Sequence, residues 1–289
     1  MKRIISLSIE GNTLRTLSFD RGYIERWDSI PFNPQFLRVG HIAEPQKLSE
    51  VLHTVLADWD LSKSIVVCAF PGLRTMSRII SVPKVAKKEM DTVISREARR
   101  VMAISTEDNY FHWQLLPAQG ERQQAFALAV PKEPLHAMLQ ALQGAGIMPY
   151  AIELKPIALA RAVNQKDAII ANGENNSVEL VIVINDVPTL MRSVFLGEGV
   201  VSEDYAIGRI SDELVRTINF YNESNPDNPL DAGVPVFLTG AAASGMTFAM
   251  NVAALTGRPV QPPESPVPYP RDFPIADFMV NLGLILRYV

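Results

Sequence analysis

Two short stretches carry residue types and spacing suited to holding a phosphate. Ser8-Ile9-Glu10-Gly11-Asn12-Thr13-Leu14-Arg15 and Ile170-Ala171-Asn172-Gly173-Glu174-Asn175-Asn176 each follow an apolar run, turn at a glycine and lead into another apolar run. A glycine at such a turn lets backbone amides come close to an anion, because no Cβ stands in the way. The two turns lie about half a chain apart, which is how a two-lobed nucleotide-binding fold places one phosphate hairpin in each lobe. Phosphoryl transfer also needs carboxylates that hold magnesium or its waters, and neither turn carries an aspartate. The plain structural alternative for both is a tight turn between strands. Among these residues Gly11, Asn12, Thr13, Arg15, Gly173 and Asn175 are the candidates for contact with a nucleotide, together with Gly240 and Gly245 of the later run Gly240-Ala241-Ala242-Ala243-Ser244-Gly245.

No other catalytic pattern is present. His41, His53, His112 and His136 lack metal-ligand spacing, so no metal site is expected. His112 alternates with Tyr110, Phe111 and Trp113 in a strand-like run, where packing is the default reading. The single cysteine, Cys68, sits inside the apolar run 64–70 and reads as a small buried hydrophobe, in keeping with a reducing cytoplasm. There is no nucleophile elbow, no glycine-rich loop ending in lysine and serine, and no spaced cysteine pair. No catalytic residue is assigned.

The elements that must position these turns follow from periodicity. Residues 4–9, 13–19 and 23–31 read as consecutive strands, 46–59 as a helix and 64–70 as a strand covered on both faces. A self-contained stretch follows at about 75–131: a strand ended by Pro83, a helix at about 86–102, and a strand pair across Gly120. Next come a helix stopped by Gly146, a short strand near Glu153 and a helix from Pro156. From about residue 165 the opening recurs, with strands at 168–172, 178–184 and 189–195 and a long helix at about 203–221. The repeated pattern of three strands and a helix predicts an α/β protein of two similar lobes. The domains expected are 1–164, containing the inserted subdomain, and 165–289, whose last helix at about 275–288 packs back on the core.

Composition narrows the function classes. A chain of 289 residues with 47% hydrophobic and 20% charged residues is globular, and a net charge of −4 argues against nucleic acid as a partner. No signal peptide is visible behind Met1-Lys2-Arg3, and no window is apolar for long enough to span a bilayer. The basic residues Lys84, Lys87, Lys88, Arg96, Arg99 and Arg100 cluster around the helix of the insert. They read as a solvated face, or else as a docking face for an acidic partner or an anionic lipid surface.

The order and spacing of several strings give the chain a family resemblance over nearly its whole length. Val66-Val67-Cys68-Ala69-Phe70-Pro71-Gly72, Ser77-Arg78-Ile79-Ile80-Ser81-Val82-Pro83, Ser95-Arg96-Glu97-Ala98-Arg99-Arg100 and Leu128-Ala129-Val130-Pro131-Lys132 resemble the insert region of PilM-like type IV pilus assembly proteins, within the FtsA/actin-like ATPase superfamily. In the C-terminal half, Arg216-Thr217-Ile218-Asn219-Phe220-Tyr221, Phe237-Leu238-Thr239-Gly240 and Asn281-Leu282-Gly283-Leu284-Ile285-Leu286-Arg287 resemble the same family. The resemblance implies a two-lobed actin-like (ribonuclease-H-like) fold with an FtsA/PilM-type inserted subdomain. It also marks departures. Ser8 stands where active members have aspartate, Glu10 where they have glycine and Arg15 where they have lysine. Ala171 replaces a second aspartate, and Gly240-Ala241 stands for the glycine pair under the adenosine. The span from Gly197 to Asp212 is too short for the usual nucleotide cap, so a reduced second-lobe cap is expected.

The resemblance therefore implies a cytoplasmic scaffold, peripheral to the inner membrane, that binds the short N-terminal cytoplasmic tail of a PilN-like membrane protein without hydrolysing ATP. The docking groove is expected between the insert and the first lobe, near Arg78, Ile80, Val93, Glu97 and Arg100. No cofactor is expected. The alternative is an active ATPase with ATP and magnesium, its metal held by Glu10 or Glu174. A further alternative is a type II secretion or FtsA-like division scaffold. It is disfavoured because Arg287-Tyr288-Val289 leaves no room for a membrane helix and no transmembrane segment follows. Self-association stays open.

Overall fold

Strand β1 (Arg3–Glu10) is covered on both faces, so that Ser6, Ser8 and Glu10 are buried with Ile4, Ile5 and Leu7. It is the central strand of a five-stranded sheet, with two strands on either side. The computed structural model describes residues 2–105, 107–117, 120–197, 203–241 and 245–289. After β1 come β2 (Thr13–Asp20) and β3 (Tyr23–Pro31), a two-residue ladder of β4 (Leu37–Arg38) and β5 (His41–Ile42), helix α1 (Pro45–Leu56) and β6 (Ser64–Phe70). The ladder has no periodic signal in the sequence because each strand is only one turn-flank long.

The chain divides into two compact units, Met1–Leu73 with Ala137–Val289, and Arg74–His136. The smaller unit contains β7 (Met76–Pro83), α2 (Lys87–Met102), β8 (Asn109–Leu115) and β9 (Arg122–Pro131). Its antiparallel sheet has the order β7-β9-β8. One face of that sheet packs Ile80, Val82, Ala125, Ala127 and Ala129 against Met90, Ile94, Ala98 and Met102 of α2, giving the unit a core of its own. Period-2 alternation sends Phe111 and Trp113 toward that core and leaves Tyr110 and His112 exposed. The expectation that His112 packs is thereby corrected.

The larger unit continues with α3 (Lys132–Gly144), β10 (Ala151–Leu154) and α4 (Lys155–Val163), then β11 (Ala168–Gly173), β12 (Ser177–Ile184) and β13 (Val187–Phe195). Helix α5 (Glu203–Ser224), β14 (Val236–Thr239), α6 (Met246–Thr256) and β15 (Val260–Gln261) follow. The first sheet has the order β10-β6-β1-β2-β3 and the second β13-β12-β11-β14-β15. In each, three consecutive antiparallel strands are extended by two parallel ones, so the two lobes share one topology.

The last element differs from the helix expected at 275–288. A 3-10 turn (Ile275–Phe278) leads into α7 (Met279–Ile285). Phe278 breaks the run at φ −103 and ψ 13, outside helical geometry. Helices α4 and α7 lie where the lobes meet. Ala158, Leu159 and Ala162 of α4, with Met279, Leu282 and Ile285 of α7, join Ile4 and Leu17 of the first sheet and Ile170 and Val181 of the second in one core. The helices approach so closely that a Cβ on Gly283 would collide with the Ala158 carbonyl. Helices α5 and α6 cover the outer face of the second sheet, burying Ile210, Leu214, Ile218, Phe248 and Val252. The span proposed to replace the cap includes residues 198–202, which lie outside the described residues.

Candidate functional site

The tips of the two glycine hairpins meet. A Cβ added to Gly11 would come within 3.3 Å of the Asn176 Oδ1 and within 4.0 Å of the Glu174 Cβ. Between them, Arg15 of β2 reaches across to Glu174, the first residue beyond β11. Its guanidinium donates to Glu174 Oε1 at 2.7 Å and Oε2 at 3.2 Å, and to the Asp277 carbonyl at 2.9 Å. A two-pronged bond of this kind holds both orientation and charge. Glu174 Oε1 also accepts from the Ala241 amide at 3.4 Å.

Gly240 is what lets the second lobe close on that carboxylate. It sits at φ +85, and a Cβ there would strike the Gly173 carbonyl and lie 2.9 Å from Glu174 Oε1. The glycine thus makes room for the chain's own acid. Asn172 and Thr239 fix the strands beneath, Thr239 Oγ1 donating to Asn172 Oδ1 at 2.9 Å.

Further charges are buried alongside. Lys155, the first residue of α4, donates to the Ile9 carbonyl and to Glu10 Oε2, the latter at 3.1 Å. Glu179 of β12 accepts from Ser193 Oγ and from the Gly72 amide, the latter at 3.2 Å. Ser8, standing where the resemblance expects an aspartate, donates to Asn281 Oδ1 at 2.8 Å. The Asn281 amide in turn donates to the carbonyls of Ser6 and Arg15, each at 3.2 Å, so α7 is stitched to β1 and β2.

The electrostatics follow from one excess acid, with Glu10, Glu174 and Glu179 set against Arg15 and Lys155. Burial pushes Glu179 up to about 7, against the pull of Lys155 and of its hydrogen bonds from Ser193 and Gly72. Burial likewise drives Glu174 up, to about 7, while Arg15 pulls it down. Burial disfavours the Arg15 cation too, but Glu174, with Glu10 and Asp277 behind it, outweighs burial and raises its pKa. Cys68 lines an apolar cavity with Leu7, Leu14, Leu48 and Leu52, and burial pushes its thiol up to about 12.

The expected nucleotide contacts are placed as follows. Gly11, Asn12 and Thr13 are half-buried at the first tip, and Gly173 and Gly240 are buried at the second. Asn12 is spent on β3, donating to the Phe32 carbonyl at 3.2 Å. Asn175 is exposed, and Gly245 is an exposed residue at the start of α6, preceded by residues 242–244 that lie outside the described residues. Arg15 was expected to face a phosphate; it is buried and its fork is filled by Glu174. The residues present do not fit magnesium and a triphosphate: Glu10 and Glu174 each already face a cation, and the cradle at Gly240 is filled by a side chain. Among the described residues no cluster of three or more acids, histidines or cysteines is placed to hold a metal.

In the insert, Arg78 is exposed on β7 and Val93 is half-buried on α2. Arg100 donates to Glu97 at 3.0 and 2.6 Å, and that bond holds the Glu97 carboxyl below its usual range. Ile80 is buried at 3% exposure in the insert's core, where it is a packing residue and not a docking one. Lys87, Lys88, Arg96, Arg99 and Arg100 are exposed.

The profile of the type IV pilus assembly protein PilM family matches residues 6–208. The chain belongs to that family. Among solved structures, the chain is similar to one described as a PilM-PilN type IV pilus biogenesis complex, with 24% identity, TM-score 0.80 and 98% of each chain covered. It also resembles the cytoplasmic domain of EpsL, an inner-membrane component of the type II secretion system of Vibrio cholerae, with 12% identity, TM-score 0.56 and coverage of 98% and 94%. A Bacteroides thetaiotaomicron protein with an actin-like ATPase fold matches at 10% identity, TM-score 0.52 and coverage of 97% and 95%. At these identities the likeness shows the fold, which is the two-lobed actin-like fold expected. A comparison with curated protein sequences finds no match. Among the described residues no helix is long and apolar enough to cross a membrane.

The residues that sequence reasoning did not single out are Lys155, Glu179, Ser193 and Asn281. A signal for two of them exists: Glu179 interrupts an apolar strand, and Lys155 opens a short helix whose remaining face is mostly apolar. Each needs a buried partner far away in the chain.

Proposed function

We propose that this PilM-family chain is a docking protein of type IV pilus assembly that captures the short N-terminal cytoplasmic tail of a PilN-like inner-membrane protein and does not turn over ATP. The docking half of this reading is supported by family membership and by the similar structure described as a PilM-PilN complex. Its location follows that partner, at the inner membrane. The observation that carries the non-hydrolysing half is the Arg15–Glu174 pair, buried at 3% and 5% side-chain exposure across the hairpin tips. A metal-assisted transfer needs carboxylates available to the cation; here Glu10 and Glu174 are engaged by Lys155 and Arg15.

The tail docks on the insert near Arg78, Val93, Glu97 and Arg100, in the manner of short-peptide capture by a preformed surface. The test is copurification with the fused N-terminal cytoplasmic tail of a PilN-like inner-membrane protein. Arg100→Glu abolishes capture and Arg21→Ala, an exposed arginine of the β2–β3 turn, does not. Equal capture by both variants, or phosphate release from ATP and magnesium by the wild-type protein, overturns the corresponding half of the reading.

A further inference from the structure

We propose that Glu174 is a built-in anion: its carboxylate sits in the seat that the two glycine hairpins would otherwise offer a phosphate, gripped by Arg15 from one lobe and the Ala241 amide from the other. This rests on, and deepens, the non-hydrolysing half of the proposed function. Its docking half is independent, because tail capture is read separately.

The surroundings are those of an anion site. A guanidinium fork approaches at 2.7 and 3.2 Å from one side. A backbone amide approaches from the other, brought in by a glycine at φ +85 whose Cβ would touch the same oxygen. Forks and exposed amides of this kind are the usual recognition chemistry of phosphate and carboxylate alike. The group they hold is fixed by only a short turn, the Glu174 amide donating to the Ser177 carbonyl at 2.8 Å. It therefore arrives without the entropy cost of binding a free ligand. The charged groups facing it are Arg15, Glu10 and Lys155, so removing its charge leaves Arg15 with an unfilled fork.

The experiment compares thermal unfolding midpoints of wild type, Glu174→Ala and Glu174→Ala/Arg15→Met in a titration with inorganic phosphate. The wild-type midpoint stays level apart from the gradual rise shared by all three proteins. Glu174→Ala starts lower and shows a saturable upward shift, and the double variant loses that shift because the fork is gone. A saturable shift in the wild type, or no difference between single and double variants, overturns the proposal. Should Glu174→Ala not fold in plain buffer, refolding in phosphate and in sucrose decides: recovery in phosphate and not in sucrose supports the seat, and recovery in both or in neither overturns it. Calorimetry of the wild type with magnesium and ATP gives an independent reading, since a seat already filled takes up no heat.

Discussion

The two lobes are built on the same strand order, yet their hairpins are charged in opposite senses. The first lobe brings Arg15, with Lys155 of the adjoining α4, to the meeting point; the second brings Glu174 and Glu179. Glu10 is the one acid on the cationic side, and Lys155 answers it at 3.1 Å. A repeated frame thus turned into a complementary pair. Duplication supplies the geometry of a clamp, and substitution at a few inward-facing positions decides whether it closes on a ligand or on itself. This asymmetry matters energetically because buried charges are costly unless matched.

Breaking the match should be the most damaging change. Arg15→Met leaves Glu174 buried and unpaired, at a cost of about 3–5 kcal/mol by urea denaturation. Replacing both partners, Arg15→Met with Glu174→Leu, recovers much of that, so the double-mutant cycle reports strong coupling. Equal losses in single and double variants would show that packing at these positions, not charge, holds the tips.

The second lobe's excess acid sets the next largest effect. Glu179 is raised from the ordinary 4.5 to about 7. It is therefore protonated in the folded protein over a range where it is ionised in the unfolded chain. Its contribution is present in full below about 4.5 and is lost as pH rises through about 7, a span worth roughly 3 kcal/mol. Glu179→Gln should flatten this fall, measured as urea midpoints across that range. An unchanged slope would assign the pH dependence to other groups.

Gly240→Ala sharpens the contrast between lobes, because it drives a methyl group into the Gly173 carbonyl at a left-handed φ. A loss of about 2–3 kcal/mol is expected, whereas Gly22→Ala in the first lobe, where nothing lies within 4 Å of the added carbon, costs only the backbone strain. The smallest effect belongs outside both lobes: Arg100→Glu leaves the unfolding midpoint of the protein unmoved and shows only in tail capture.

Much of the frame was legible in the sequence. Residues 178–184 read as an apolar run because the strand is covered on both faces, whereas residues 5–9 alternate Ile-Ser-Leu-Ser-Ile although both faces of that strand are covered too. On α2 the buried residues Met90, Ile94, Ala98 and Met102 recur in steps of four, while Val101, which helical spacing also offered, is exposed. What stayed hidden was long-range pairing. Arg15 and Glu174 are separated by 159 positions, and Ser8 and Asn281 by 273. Local pattern carries no information about which distant charge will meet which. Arg15 was accordingly assigned to a phosphate, and the likeness between a phosphate and a carboxylate is what made that assignment reasonable. The start of the last helix differs from the expected 275 for a related reason: the Asp277 carbonyl lies in a 3-10 turn, where it accepts a bond from Arg15.

Cys68 gives this architecture a built-in clock. It is the chain's one thiol, it lies sealed in β6 between β10 and the central strand of the first sheet, and burial pushes its pKa up to about 12. A maleimide in solution reaches it only when that sheet exposes itself. Modification rates therefore time the opening of the first lobe at a single residue and without an engineered cysteine. Comparing wild type with Arg15→Met on that timescale would reveal whether loosening the hairpin tips is felt as far away as the sheet's interior.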